Sequence, residues 1–205
     1  MSHKTDEVRL MSISDDNIER QNIRKLIVLA NGDSLLIRSL CAGDEDRLRR
    51  FDAELSPTSR GFFIPHAYDE ATLARVMERA AAGEDLIYLA LAGTDVAAYF
   101  FLWHIRQPIP TLGIGIADAY QNQGVGRQML TLLIEDARAL QRDGIDLTTM
   151  LTNERAFALY QKMGFRYLGN VDNTTGDGHV ITERWLFLPL KPDSHPCSHS
   201  HQAPV

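Results

Sequence analysis

Residues 120–127 of this 205-residue chain, Tyr-Gln-Asn-Gln-Gly-Val-Gly-Arg, decide how its fold is interpreted. Two glycines, Gly124 and Gly126, stand one residue apart, after a polar run and before the apolar pattern of a helix. Glycine within a helix costs about 0.5–1 kcal/mol relative to alanine, so its use twice here needs a reason. The stretch indicates that another group closely approaches the backbone at this helix start.

A strand precedes this turn and an amphipathic helix follows it. Residues 111–118 form the predicted strand and contain two further glycines, which within a strand often mark a bulge or a close ligand approach. After the turn, Met129, Leu133 and Ala137 share one helical face. A helix start offers unpaired N–H groups and the positive end of a dipole, which together favour an anion. We therefore predict an anion-binding cradle, with a sharp turn without ligand as the alternative; its residues are Gln121, Asn122, Gln123, Gly124, Val125, Gly126 and Arg127.

Two common phosphate-binding motifs do not fit this stretch. Met129 replaces the third glycine of the dinucleotide motif G-x-G-x-x-G. No Gly-Lys-Ser/Thr follows, as a P-loop would require. The predicted cradle is therefore of a different kind.

The elements around the turn predict one α/β domain. Asn31-Gly32 between two apolar runs predicts a hairpin with a type I′ turn, which needs positive φ at both residues. Further strands are predicted as a pair within 86–105 and at 111–118, 145–152, 166–171 and 179–190, with helices at 42–55, 69–83, 124–144 and 153–164. This order predicts an α/β fold of the α+β type, with one mixed, mostly antiparallel sheet flanked by helices.

Composition and charge narrow the possible function classes. The net charge of −6 argues against a general nucleic-acid binder, which would need a basic face. No apolar run reaches the roughly 18–20 residues of a membrane span, and the beginning of the chain is too polar for a secretory signal. We expect a cytoplasmic monomer or homodimer with neither a nucleic-acid nor a membrane partner.

The two ends of the chain differ in composition from its middle. Residues 1–22 are polar and weakly periodic, and residues 191–205 are rich in Pro, Ser and His. We expect an N-terminal arm over 1–22, a domain over 23–190 and a disordered tail over 191–205. The tail contains alternating potential ligands without a second half-site, so no metal site is predicted; they are His195, Cys197, His199 and His201.

Two motifs together resemble the GNAT superfamily of acyl-CoA N-acyltransferases. The first is Gln121-x-x-Gly124-x-Gly126, between a strand and an amphipathic helix. The resemblance extends over 33–190, and the segments 32–48 and 55–63 are similar to one branch that includes protein lysine acetyltransferases. The second motif lies in 153–165 and comprises Asn153, Ala156, Tyr160, Gly164 and Phe165.

The resemblance implies how acetyl-CoA would be held. Its pyrophosphate would lie on the backbone amides of 123–127, and its pantetheine arm would enter a V-shaped splay between the strands 115–117 and 147–151. Asn153 would hold the arm through its side chain, although an asparagine there also suits a helix cap. The implied cofactor-binding residues are Ile116, Ala117, Gln121, Asn122, Gln123, Gly124, Val125, Gly126, Arg127, Asn153, Phe157 and Tyr160.

The resemblance also implies direct attack of a primary amine on the thioester. A lysine-like amine has a pKa of about 10.4, so it must lose a proton before it reacts. Tyr160 occupies the family's position for the acid that protonates the leaving thiolate, with a core tyrosine as the alternative. The amine would belong to a small molecule or to a peptide or protein lysine. A non-catalytic acyl-CoA-binding sensor or interaction module is one competing interpretation, and a binding protein for another phosphorylated ligand at the same helix start is a second.

The group that removes the proton is less evident. Many family members carry a glutamate on the strand before the glycine turn, and residues 111–117 contain none. Asp118, His104 and Glu183 are the nearest candidates, and each also suits a structural role. Holding amine and thioester together can supply about 7–11 kcal/mol of the barrier. We therefore predict that no single side chain is an indispensable base.

The acceptor site is predicted at the aromatic segment 56–68 and the late loop 172–179. Apolar walls with a few polar groups suit a small or peptidic amine. The alternative for the two phenylalanines is that they fill the core. The candidate residues are Arg60, Phe62, Phe63, His66 and Tyr68.

Overall fold

The structure, a computed structural model, describes residues 23–174 and 179–196. The predicted N-terminal arm, residues 175–178 and residues 197–205 lie outside the described ranges. Within those ranges no helix is both long and apolar enough to cross a lipid bilayer. The strands are β1 (Ile23–Val28), β2 (Ser34–Ser39), β3 (Leu86–Ala92), β4 (Asp95–Trp103), β5 (Thr111–Ile116), β6 (Gly144–Met150), β7 (Arg166–Thr174) and β8 (Val180–Pro189). The helices are α1 (Glu45–Glu54), α2 (Pro57–Phe62), α3 (Glu70–Ala81), α4 (Val125–Ala139) and α5 (Glu154–Lys162), with a 3₁₀ turn at Asp118–Tyr120.

The described strands form one eight-stranded sheet in the order β1-β2-β3-β4-β5-β6-β8-β7. Neighbouring strands are antiparallel except β5 and β6, which are parallel. Helix α4 is the crossover that makes this parallel pair possible. The predicted mixed, mostly antiparallel sheet is confirmed.

The parallel pair separates into a V. The two strands share one ladder position, where Thr111 lies opposite Asp146. The Thr111 hydroxyl donates to Asp146 Oδ1 at 2.9 Å and fixes this closed end. Beyond it, β5 stays paired with β4 as far as Ile116, and β6 stays paired with β8 as far as Met150. The facing edges of β5 and β6 therefore diverge, as the resemblance implied.

Two hydrophobic cores flank the sheet. Helices α4 and α5 cover one face, where Met129, Leu133 and Leu147 are fully buried. Helices α1 and α3 cover the other face, with Leu48 and Leu73 fully buried. Burying one such side chain stabilises the fold by about 1.5–3 kcal/mol. The sheet is the middle of three layers, and the V is a gap in that layer.

The first hairpin forms as predicted, but its turn is of another type. Gly32 has a φ of +90°, whereas Asn31 does not adopt a positive φ. The Leu29 N–H donates to Asp33 O at 2.7 Å, and the Gly32 N–H donates to Leu29 O at 3.0 Å. These bonds describe a type I turn followed by a left-handed glycine, so the predicted type I′ turn is wrong.

Helix α2 lies within the segment predicted as a loop. The Ser56 hydroxyl accepts from the Ser59 N–H at 3.2 Å, and a proline stands at the start of the helix. Serine followed by proline is a recognised helix-start pattern, so the sequence did contain the signal. The helix predicted to reach Gly144 ends at Ala139, and Gly144 instead begins β6.

Candidate active site

The glycine turn leaves the start of helix α4 without a side-chain cap. Gly124 precedes the helix, with a φ of +81°. The Gln128 N–H donates to Gly124 O at 3.3 Å. The N–H groups of Val125, Gly126 and Arg127 therefore have no acceptor within the helix. The first turn also carries no acidic residue, so this helix start suits an anion.

The two glycines are needed for different reasons. A Cβ on Gly124 would meet no atom within 4 Å, but L side chains rarely adopt its positive φ. A Cβ on Gly126 would lie 3.1 Å from Leu159 Cδ2 and 3.3 Å from Ile116 Cδ1. Gly124 therefore serves the backbone conformation, and Gly126 serves the close packing of α4 against α5 and β5.

A cavity of about 450 Å³ lies beside this helix start. Small-molecule sites usually enclose about 300–1,000 Å³, so its size suits a ligand. The cavity follows β5 past Ile114, Gly115 and Ile116, which pair with β4 but have no ladder partner on β6. It is also lined by α4, by α5 and by the α1–α2 region, here residues 55–63. Because α1 and α5 cover opposite faces of the sheet, the cavity reaches both faces along the open edge of β5.

The charges that line the cavity all have one sign. Arg127, Arg155 and Lys162 line it, and no carboxylate from the described residues does. The whole chain, in contrast, has a net charge of −6. A concentration of cations beside an uncapped helix start favours a ligand with several negative charges.

Most residues predicted to bind the cofactor line this one cavity. Gln123 does not, and its Nε2 donates to Ala119 O at 2.7 Å. Phe157 does not either, because its ring lies 4.3 Å from the Arg184 guanidinium. Ala117 is also outside the lining and pairs with β4 through Ala97 O at 2.9 Å. Those that line it are Ile116, Gln121, Asn122, Gly124, Val125, Gly126, Arg127, Asn153 and Tyr160.

The side chain of Gln121 ties the glycine turn to three neighbouring elements. Its Nε2 donates to Ile116 O at 2.9 Å and to Ser59 Oγ at 3.0 Å. Its Oε1 accepts from Arg155, which also donates to Asn122 Oδ1 at 3.2 Å. The ends of β5, α2 and α5 are thereby fixed around the cavity mouth.

Asn153 lies between the cavity and the start of α5. Its side-chain oxygen accepts from the Ala156 N–H at 3.2 Å, so it caps that helix. It also lines the cavity. The Nδ2 group makes no hydrogen bond with the described residues, so the cap leaves it available to a ligand.

Tyr160 is a buried residue of α5 that lines the same cavity. Its ring packs against Phe165 with the centroids 5.8 Å apart. Burial raises its pKa to about 12, so the hydroxyl keeps its proton at neutral pH. No described group accepts a hydrogen bond from this hydroxyl, which leaves its proton free for a ligand.

Asp118 and His104, two of the candidates for a general base, make hydrogen bonds that join neighbouring segments of the fold. The Asp118 carboxylate accepts from Ser56 N–H at 2.9 Å, from Ser56 Oγ at 2.8 Å and from Ser59 Oγ at 2.7 Å. The Ser56 N–H contributes most to the lowering of the Asp118 pKa. His104 follows β4 at the closed end of the V, and its N–H donates to Asp85 Oδ1 at 2.7 Å. Neither residue lines the cavity.

The structure places the predicted acceptor residues in three different environments. Phe62 and Phe63 line the cavity. Arg60 is exposed and donates to Asp52 O. His66 and Tyr68 do not line it but pack together in the core on the α1–α3 side, with ring centroids 4.8 Å apart.

Several cavity residues are not among those predicted from sequence. Ser59 and Leu55 come from the α1–α2 region, and Arg155 and Lys162 from α5. Arg155 lies two residues after Asn153, within the second motif, and its charge was the one available signal. The other contributions depend on how α2 folds against β5.

The family model described as the acetyltransferase (GNAT) family matches residues 48–165. This segment contains both motifs and more than half of the chain. The chain belongs to the GNAT acetyltransferase family. The resemblance seen in the sequence is thereby confirmed, and acetyl-CoA is the cofactor of this family.

A curated relative supports the same family. It is the uncharacterized N-acetyltransferase YvbK of Bacillus subtilis (strain 168), which is 34% identical over 80 residues. The match covers 38% of this GNAT chain and 52% of that protein. The chain therefore spans about half the length of the curated relative it matches.

Solved structures share the fold at low identity. The GNAT domain of PAT from S. lividans has a TM-score of 0.66 and 17% identity, covering 81% of this chain and 96% of that one. The putative acetyltransferase yncA from Salmonella typhimurium, solved with its cofactor acetyl-CoA, has a TM-score of 0.62 and 15% identity, covering 80% and 99%. At these identities the likeness shows the fold alone.

Proposed function

We propose that this GNAT protein transfers the acetyl group of acetyl-CoA to a primary amine of a small molecule or of a peptide or protein lysine. One observation carries the proposal: a single cavity joins an uncapped helix start and three cations to a buried tyrosine. The first two suit the phosphates of coenzyme A, and the tyrosine hydroxyl suits a leaving thiolate.

The chain's own groups hold the donor at its charged end. The free N–H groups of Val125, Gly126 and Arg127 at the helix start would bind the anionic pyrophosphate. The Arg127 side chain adds a positive charge at the same place. Asn153 offers its side-chain amide to the same cavity, which Tyr160 also lines. The open edge of β5 offers backbone groups to an amide-containing arm.

The proposed reaction is a direct transfer. Acetyl-CoA supplies an acetyl thioester. The cationic amine loses one proton to water, and its nitrogen then bonds to the carbonyl carbon. The carbon–sulfur bond breaks, and the nitrogen loses a second proton to water to give the neutral amide. Tyr160 then donates its hydroxyl proton to the sulfur and regains one from solvent. Alignment of the two reactants in one cavity contributes to the rate without a dedicated base.

Thermal unfolding with coenzyme A, acetyl-CoA or NAD tests the donor site. A ligand at 100 times its Kd stabilises a protein by about 2.7 kcal/mol. We expect coenzyme A and acetyl-CoA to raise the Tm and NAD to leave it unchanged. An equal response to NAD would indicate a less selective phosphate site and would contradict the proposal.

Release of free thiol from acetyl-CoA over a panel of primary amines tests the transfer itself. We expect thiol to appear only when protein, acetyl-CoA and an amine are all present. Coenzyme A binding without thiol release from any amine would instead indicate a non-catalytic acyl-CoA-binding module.

A further inference from the structure

Glu183 lies across the open end of the V from β5. The two strands are level at Thr111 and Asp146, and equal steps along each reach Gly115 and Met150. Met150 is the ladder partner of Glu183 on β8. Glu183 therefore stands level with Gly115, on the far side of the gap.

Gly115 and Glu183 face the same side of the sheet. A Cβ on Gly115 would lie 2.4 Å from Phe63 Cδ1, so this side of β5 is the one covered by the α1–α2 region. On β6, Leu147 is buried in the core beneath α4 and α5, so its neighbour Thr148 points the other way. The Thr148 hydroxyl bonds to Glu183, which places the carboxylate on the α1–α2 side as well.

Neutral groups hold the carboxylate of Glu183 in place. The Thr148 hydroxyl donates to its Oε2 at 2.9 Å, and Asn173 Nδ2 donates to the same oxygen at 2.6 Å. The side chain is half-buried. Among the described residues no cation pairs with it, and its Oε1 accepts no hydrogen bond. One oxygen of a fixed carboxylate is therefore available to a ligand.

This carboxylate differs from the other candidates near the site. The Asp118 oxygens already accept three hydrogen bonds, and the charged side chains that line the cavity within the described ranges are all cations. The cations that line the cavity would repel a cationic ligand, whereas the carboxylate of Glu183, across the V, would attract it. The two sides are therefore suited to partners of opposite charge.

We infer that Glu183 binds the ammonium group of the acceptor, and that the acceptor is an aliphatic primary amine that is cationic in water. The inference rests on the proposed acetyl transfer and specifies its substrate class. Phe62 and Phe63 line the α1–α2 end of the cavity and provide apolar contact for the carbon chain that carries the amine. Glu183 selects the substrate, whereas the proton lost before attack passes to water.

Charge-neutral substitution tests this role. Glu183→Gln keeps the size of the side chain and removes its charge, and Glu135→Gln removes one charge from an exposed position on α4. Steady-state kinetics are measured with aliphatic amines such as butylamine, benzylamine and Nα-acetyl-lysine, and with the arylamines aniline and 4-methoxyaniline, which are uncharged at neutral pH. Calorimetry with acetyl-CoA and the Tm report whether donor binding and the fold are preserved.

We expect the wild type to favour the aliphatic amines. In Glu183→Gln the KM for these amines should rise at least about tenfold, with kcat changed less than about threefold and acetyl-CoA affinity preserved. The KM and kcat for the arylamines should be unchanged in Glu183→Gln. The control Glu135→Gln should have the wild-type KM and kcat for all the amines.

Other outcomes separate this inference from the proposed transfer. An unchanged KM in Glu183→Gln, an equal loss for aliphatic and aromatic amines, or a wild-type preference for arylamines would overturn the inference and leave the transfer standing. Coenzyme A binding without thiol release from any amine would overturn the transfer, and the inference with it.

Discussion

Gly124 places backbone N–H groups at the cavity without a side chain in front of them. Its φ of +81° turns the chain from the 3₁₀ segment into α4, and the next three N–H groups have no acceptor in the helix. Any residue with a Cβ would strain this turn and project a side chain beside the same groups. Conformational and binding effects therefore coincide at this residue, so a control must separate them.

Gly93 provides that control for the variant Gly124→Val. Both glycines have a positive φ and open space around an added Cβ, but Gly93 lies in the turn between β3 and β4. Each valine variant should lose about 1–2 kcal/mol of unfolding free energy through backbone strain. We expect Gly124→Val to bind coenzyme A at least about tenfold more weakly, and Gly93→Val to bind it normally. Calorimetry and urea denaturation measure the two effects, and normal affinity in both variants would contradict the predicted cradle.

Tyr160→Phe should lower kcat by about 10²–10⁴-fold, the usual contribution of a general acid. The ring can keep its packing against Phe165, so acetyl-CoA affinity and Tm should change little. Tyr167→Phe is the matched control, because Tyr167 is exposed on β7 and its hydroxyl donates to Asn170. Normal turnover in Tyr160→Phe would identify Tyr160 as a core residue.

Helix α2 and the end of β5 act as one structural element. Asp118 accepts from both ends of the first helical turn, at Ser56 and Ser59, and the Ser59 hydroxyl accepts from Gln121. The short helix that carries the phenylalanine wall is thereby fixed to the glycine turn. The position of the acceptor wall consequently depends on the same residues that shape the cofactor side.

Asp118→Asn and His104→Gln should each lower kcat less than about tenfold, or about 1.4 kcal/mol. The hydrogen bonds that lower the Asp118 pKa keep this carboxylate ionised at neutral pH, whereas an effective base titrates near the working pH. The kcat/KM profile should therefore rise with pH toward the pKa of the amine. A limb at about pH 6–7 that disappears in one variant, together with most of the activity, would identify that residue as a true base.

The hydrophobic periodicity of the sequence predicted the helices and strands better than it predicted which side chains meet in the tertiary structure. The apolar stripe of α4 and the glycine turn before it are local features, so the sequence contains both. The type of the first turn depends on φ at Asn31, and α2 depends on reading Ser56-Pro57 as a helix start rather than a loop. Whether His66 lines the cavity or packs beneath it depends on tertiary packing, which no local pattern specifies.

Charge is distributed unevenly over the whole molecule. An acidic chain concentrates Arg127, Arg155 and Lys162 around one cavity, while the fixed carboxylate of Glu183 lies on the opposite side of the V. A net negative surface repels nucleic acids and other polyanions at long range. A small anionic cofactor can still bind, because local potentials dominate within a Debye length of about 8–10 Å.

His66 links the stability of the whole fold to pH. The Ala67 carbonyl can only accept, so His66 Nδ1 donates to it at 2.7 Å and Nε2 accepts from the Tyr99 hydroxyl at 3.0 Å. Burial lowers the pKa of His66, and the hydrogen bond to Ala67 O, followed by the Asp52 and Asp69 carboxylates, opposes this effect without outweighing it. The folded protein therefore holds the ring neutral at a pH where an exposed histidine would be charged.

The free energy of unfolding should consequently fall as the pH drops below about 6.5, the unfolded pKa of histidine. Below that value the unfolded chain binds a proton that the folded chain binds only at lower pH, so acid favours unfolding; above it, this residue adds no slope. His66→Gln retains a donor for Ala67 O and an acceptor for Tyr99, and it cannot titrate. Urea denaturation between about pH 8 and pH 5 should therefore show a slope in the wild type that is up to about 1.4 kcal/mol per pH unit greater than in the variant. Equal slopes in the two proteins would mean that His66 becomes protonated without disturbing the aromatic core that lies behind Phe63.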